Sequence, residues 1–257
     1  MNTALEEKLG NQYMSPSQIA RRLTEGWTAP NLYCPRCGSD HLIHETANRP
    51  VKDFSCPACG AVYEQKSRQN GFSKKTAGGA YEAMIDRIKS TTNPDFLFMN
   101  YSRADMRVHD LFAVPKFFFT PKIVEKREPL SPTAKRAGWT GCNILLHDIP
   151  EQGRIYIIEN SVPLEKAVVI KKFAAALKLE VKEMATRSWL LDILNCVNKT
   201  AGEEFTLAKI YDFEEKLSAI HPENNNIRAK IRQQLQMLRD RGLIEFAGRG
   251  RYRKAAL

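Results

Sequence analysis

No stretch of this 257-residue chain approaches the ~20 consecutive apolar residues that a membrane span requires. Its amino terminus, MNTALEEKLGNQYM, lacks the continuous apolar segment of a secretory signal, so the protein is expected in the cytoplasm with no membrane partner. Internal repeats and low-complexity runs are also missing, which speaks against a solenoid or a disordered tail. Acidic residues are in deficit, 29 against 39 Lys and Arg, leaving a formal net charge of +10. Cysteines number only six, and without a secretory signal a disulfide framework is a poor account of them.

What is present is a chain with 43% hydrophobic residues, enough to fill one large core or two modest ones. The charge is concentrated at one end. From Asn225 to Leu257 there are nine Lys/Arg against two Asp/Glu, a field that attracts polyanions by steering and counterion release. Nucleic acid is the partner this suggests.

Four of the cysteines, Cys34, Cys37, Cys56 and Cys59, form two C-x2-C knuckles separated by 18 residues. That spacing lets four thiolates surround one Zn²⁺ tetrahedrally, so a zinc ribbon is expected over about 33–63. Cys142 and Cys196 stand alone and read as small buried hydrophobes.

The segment SPSQIARRLTEGW predicts a helix capped by Ser15, entered at Pro16, boxed by Gln18 and stopped by Gly26. After the ribbon comes a glycine-bearing loop, SRQNGFSKKTAGG, and AYEAMIDRIKS has helical spacing at Tyr81, Met84, Ile85 and Ile88. DFLFMNYS, LFAVP and GRIYIIEN predict strands, with a long polar segment, REPLSPTAKRAGWTGCN, between the last two. PLEKAVVIKKFAAALKL predicts a closing helix. From about Met184 the pattern becomes three helices and a hairpin, the order of a winged helix: SWLLDILNCVN from a Ser188 cap, TLAKIYDFEEKLSAI, NIRAKIRQQLQMLRDRG ending at Gly242, then LIEFAGRGRYR. The expected division is 1–183 and 184–257.

In the third of these helices, Ile227, Ile231, Leu235 and Leu238 form the inward stripe. Ala229, Arg232, Gln233 and Gln236 then face outward, with Arg228 and Arg239 on the flank. Arg and Gln suit bidentate contacts to base edges in a major groove. Asn224, Asn225 and Asn226 stand at the amino end of this helix, where at least one is expected to cap it and Asn225 and Asn226 are candidate DNA contacts. Arg249, Arg251, Arg253 and Lys254 fall on or after the wing, within reach of phosphates.

A zinc ribbon needs only its thiolates and tight turns, so Asp53 before the second knuckle and Glu64-Gln65-Lys66 after it call for another reason. If AVYEQKS is a strand, Glu64 and Lys66 share a face, and the knuckle folds PVKDF back antiparallel so that Asp53 arrives beside Glu64. Two carboxylates and a lysine so placed suit metal-assisted phosphodiester cleavage. Asp53 and Glu64 would ligate Mg²⁺, and Lys66 would assist the attacking water and offset developing charge.

The blocks ARRLTEGW, YCPRCG, NRPVKDF, CPACG, EQKS, GGAYEAM, PLSPTAKRAGWTGCNI and IRQQLQMLRDRGLIEFAGRGRYRK, in this order, resemble the DpnI-type methyl-directed restriction endonucleases over almost the whole chain. The resemblance implies an α+β fold: a PD-(D/E)XK nuclease domain with an embedded structural zinc ribbon, followed by a winged helix. It implies catalytic Asp53, Glu64 and Lys66, with Mg²⁺ on Asp53, Glu64 and the Gln65 backbone. One departure is that Pro50 precedes Asp53 by three positions rather than one. The substrate implied is double-stranded DNA methylated on adenine at GATC, cut by a chain that is a monomer in solution. One buried methyl contributes only about 1 kcal/mol, which makes two separate readers useful. Trp139, beside Arg136, and Trp189 are the candidate methyl contacts. Two alternatives stay open: a zinc-ribbon winged-helix regulator without catalysis, and a related nuclease for a different site.

Overall fold

The computed structural model describes residues 1–45, 52–90 and 92–255. The chain divides into two compact units, one of Met1–His147 with Gln152–Leu177, the other of Asp148–Glu151 with Lys178–Leu257. No helix among the described residues is long and apolar enough to cross a membrane.

The first unit contains α1 (Pro16–Asn31), β1 (Ile43–His44), β2 (Phe54–Ser55), β3 (Val62–Gln69), β4 (Thr76–Ala80), α2 (Tyr81–Lys89), β5 (Asp95–Ser102), β6 (Arg107–Val114), β7 (Val124–Lys126), β8 (Gly141–Ile144), β9 (Ile155–Glu159), β10 (Val162–Pro163) and α3 (Lys166–Leu177). Its main sheet has the order β1-β2-β3-β5-β6-β9-β10. The β3–β5 pair is parallel and the other neighbours are antiparallel. A smaller sheet runs β4-β8-β7. β5 is buried on both faces, as a central strand should be, through Phe96, Leu97, Phe98 and Met99. Phe98 stacks on Phe112 at 5.1 Å and Phe96 packs on Phe119 at 4.3 Å, forming an aromatic layer on one face.

The second unit contains α4 (Met184–Asn198), β11 (Glu204–Thr206), α5 (Leu207–Tyr211), α6 (Glu214–Ile220), α7 (Ile227–Asp240), β12 (Ile244–Gly248) and β13 (Arg251–Lys254). Its sheet has the order β11-β13-β12. The hairpin turns at Gly248 and Gly250, both at positive φ. Ile227, Ile231, Leu235 and Leu238 of α7 are buried, and Ala229, Arg232, Gln233 and Gln236 are exposed, as the 3.6-residue period requires.

Several expectations are corrected. Gly26 does not stop the first helix; α1 continues to Asn31, because that glycine is where Leu9 packs, with Leu9 Cδ1 2.8 Å from where a Cβ would stand. Ser15 makes no capping bond and instead pairs with Ser17. Ser188 is a buried interior residue of α4, whose cap is Glu183, accepting from the Ala185 and Thr186 amides. The stretch from Leu207 to Ile220 is two helices, broken at Asp212–Phe213. Asn226 stands at the α7 cap without a side-chain capping bond, while Asn224 Oδ1 accepts from its amide. β4 and β8 lie largely in segments that read as a loop and a polar linker, while β7 and most of β11 fall where no element is predicted. Of the expected PVKDF strand, Pro50 and Val51 lie outside the described residues.

Candidate functional site

The two knuckles are built alike. Gly38 and Gly60 each turn at positive φ and donate their amides to Cys34 and Cys56 carbonyls at 2.8 and 3.0 Å. The four sulfurs lie within 4.8 Å of one another, with Cys34–Cys59 at 3.7 Å and Cys37–Cys56 at 3.6 Å. A tetrahedron with Zn–S bonds of about 2.3 Å has edges of about 3.8 Å, so the donor set fits one such cation. All six cysteines are free. At Cys56, burial raises the thiol, but the Cys59 and Ala58 amides with the Cys59 and Cys34 side chains outweigh it and bring it down to about 7, whereas burial pushes Cys34 and Cys59 up. The Tyr63 hydroxyl lies 3.1 Å from Cys34 Sγ, tying the tetrad to the start of β3.

The hairpin closed by the second knuckle pairs Phe54 with Tyr63 and Ser55 with Val62, and the Asp53 amide donates to the Tyr63 carbonyl at 3.0 Å. One step further the ladder is continued by a side chain: Asp53 Oδ2 accepts the Gln65 amide at 2.8 Å. Asp53 therefore lies on the edge of β3. Glu64 and Lys66 share the face of the aromatic layer, since they pair with Phe96 and Phe98 in register. Lys66 Nζ forms an ion pair with Glu64 Oε1.

Burial pushes the Asp53 carboxyl above its ordinary range. The Gln65 amide opposes this, while the charges of Glu25 and Glu64 add to it. Sequence reasoning missed two charged groups of the site, Glu25 and Arg87. Glu25 of α1 is held by Arg21 at 2.8 Å and His44 at 2.9 Å. From α2, the buried Arg87 Nη1 stands 3.9 Å from Glu64 Oε2, with no hydrogen-bond partner among the described residues. Nothing in the local pattern marked Arg87, whose place depends on the β3–α2–β5 crossover.

The expected DNA contacts have mixed settings. Arg228, Arg232, Gln233, Gln236, Asn225, Asn226 and Arg249 are exposed. Arg228 pairs with Glu214 at 2.7 Å, and Arg232 donates to Tyr211 Oη at 2.8 Å. Arg251 and Arg253 are exposed but both bind Glu204, at 3.2 and 2.6 Å. In the β7–β8 loop, Trp139 is half-buried under the Arg136 guanidinium at 4.8 Å and lies against Gly141. Trp189 is corrected: it is 6% exposed with His221 stacked on it at 3.6 Å, and His221 is bonded to Asp192 at 2.7 Å. Its ring serves the core of the second unit.

An α+β unit with a thiol tetrad and two carboxylates at β3, followed by a helix-turn-helix unit with exposed Arg and Gln on α7, has the parts of a protein that acts on DNA. The chain belongs to the DpnI family: the model described as the Dam-replacing family matches residues 1–182, and that described as the Dam-replacing HTH domain matches residues 185–254. Membership makes it a methylation-dependent restriction endonuclease with a carboxy-terminal DNA-binding module.

Proposed function

We propose that the chain is a Mg²⁺-dependent type II endonuclease of the methylation-requiring kind, cutting duplex DNA at GATC methylated on adenine. Residues 1–183 would form a PD-(D/E)XK nuclease domain and residues 184–257 the winged helix. The observation that carries the active-site assignment is the edge of β3, where Asp53 takes the place of a backbone partner on Gln65 and Glu64 stands one residue before it.

In this reading Asp53, Glu64 and the Gln65 carbonyl are the oxygen donors, a set that suits Mg²⁺. The ion supplies Lewis acidity at the scissile phosphate. Lys66 aligns the attacking water, helps its proton leave and offsets charge on the pentavalent transition state. Arg87, 3.9 Å from Glu64 Oε2, offsets the charge of that carboxylate from the other side. The thiol tetrad holds Zn²⁺ as a structural ion. Trp139 with Arg136 reads the methylated base, and Asn225, Asn226, Arg228, Arg232, Gln233 and Gln236 face the DNA on or beside α7, with Arg249, Arg251 and Arg253 on the wing.

The test is Glu64→Ala. It is expected to abolish cleavage while leaving the fold and DNA binding in place, because Lys66 and Arg87, which lose their partner, both keep partial access to solvent. Normal cleavage by that variant would remove the assignment.

A further inference from the structure

Gln65 occupies the variable position of Glu-x-Lys, yet it is 8% exposed and its side chain is fully engaged. The single Thr28 Oγ1 proton of α1 is shared between Gln65 Oε1 at 2.7 Å and the Thr24 carbonyl at 2.9 Å, the shorter contact being to Gln65. Gln65 Nε2 donates to Ser67 Oγ at 3.0 Å, Ser67 Oγ to Thr24 Oγ1 at 3.0 Å, and Thr24 Oγ1 to the Ala20 carbonyl at 2.9 Å. Thr24 and Thr28 are 1% and 0% exposed, so the chain of hydrogen bonds crosses a dry contact between α1 and β3.

Burying an amide costs free energy unless each polar atom is met, and an aliphatic side chain would pack against a helix without that demand. What the amide adds is orientation. The Gln65 side chain points away from Glu64 and Lys66, while its main chain offers the amide to Asp53. In an extended strand a residue's N–H and C=O face the same edge, so the Gln65 carbonyl lies on the Asp53 side as well. A side chain pinned at both ends to α1 fixes the tilt of the two peptide planes that define this edge.

We propose that the Thr28–Gln65–Ser67–Thr24 network is a positioning device for the metal-binding edge of β3, with Gln65 as its keystone and Thr28 as its anchor. This rests on the active-site reading given above. Removing the anchor leaves Asp53 and Glu64 in place but loosens the carbonyl and amide between them, which weakens metal capture rather than DNA binding.

The test uses the full chain with Thr28→Val, Thr28→Ser, Gln65→Met and the Thr28→Val/Gln65→Met pair, each checked by circular dichroism. Cleavage of adenine-methylated duplex is titrated with Mg²⁺, and duplex binding is measured in EDTA. Thr28→Val and Gln65→Met are expected to raise the Mg²⁺ midpoint about tenfold, the low end for groups that orient a metal ligand. Binding in EDTA stays at the parent value, Thr28→Ser restores the parent midpoint, and the pair is no worse than Gln65→Met alone. An unchanged midpoint in Thr28→Val overturns the proposal, even should Gln65→Met fail to fold. Glu64→Ala run alongside separates the two claims. Cleavage by that variant sinks the active-site reading and this inference with it, whereas its inactivity with unchanged midpoints in Thr28→Val and Gln65→Met sinks the inference alone.

Discussion

Glu204 neutralises two of the wing arginines, and replacing it with Gln should change how the protein holds DNA more than how it folds. Its carboxylate accepts from Arg253 at 2.6 Å and from Arg251 at 3.2 Å on the exposed side of β11 and β13. The hydrogen bond and charge of Arg253, then those of Arg251, hold Glu204 below the ordinary glutamate range, so both arginines stay masked at neutral pH. Exposed ion pairs add little stability, so the melting temperature should barely move. If both guanidiniums then reach phosphates, the slope of log affinity against log salt steepens by about 0.9 for each, or about 1.8 together. Across a fourfold rise in salt, the variant's affinity then falls about twelvefold more than the parent's. Fluorescence anisotropy on a methylated duplex over a KCl series measures this. Glu215→Gln on α6, the same change in net charge at an exposed residue, serves as the control. Equal slopes for Glu204→Gln and the parent would refute the placing of Arg251 and Arg253 on DNA.

Other outcomes can be checked alongside. Gln234 is fully buried in α7 with neither amide atom bonded among the described residues, so Gln234→Met should stabilise the second unit by about 2 kcal/mol. Calorimetry should show that transition rising by on the order of 10 °C, and a fall would mean the amide is satisfied by solvent. Gly153→Ala should destabilise the first unit by about 1–3 kcal/mol, since its Cβ would stand 2.6 Å from the buried Phe118 ring; denaturant melts with no loss would contradict this packing. Glu183 is held below the ordinary glutamate range by its capping bonds to Thr186 and then Ala185. That contribution is present above the unfolded glutamate's pKa and is lost as pH falls through the lower folded value. Glu183→Gln should therefore flatten the acid limb of second-unit stability in pH-dependent melts, and an unchanged limb would place the acid sensitivity elsewhere.

How far the sequence could be read depended on the range of the interactions involved. The C-x2-C spacing and the two glycines that follow it report local turns, so the tetrad was visible at once. The same knuckle predicts the return of the chain that brings Asp53 onto the strand of Glu64, because an antiparallel hairpin needs only its turn and a two-residue period. Gly26 misled because a glycine that stops a helix and one that admits Leu9 look alike in sequence. The break at Asp212–Phe213 was hidden because Ile210 and Leu217 keep their inward phase across it. Glu183 was overlooked in favour of Ser188, a stronger capping residue type standing five positions too late. Arg87, Glu25 and the Thr28–Gln65 contact join residues from separate elements, and no periodicity encodes such meetings. The burial of Trp189 likewise follows from His221, 32 positions further on.

The central claim is that this chain cleaves DNA with a divalent ion because adenine is methylated. Two plasmids identical but for adenine methylation at GATC, each digested with Mg²⁺ and with EDTA in its place, test it most directly. Discrete fragments from the methylated plasmid with Mg²⁺, and intact DNA in the other three reactions, are what the account predicts. Intact methylated plasmid in Mg²⁺, with both plasmids shifted on a gel, would contradict it and leave Asp53, Glu64 and Lys66 as charges on the face of a DNA-binding protein.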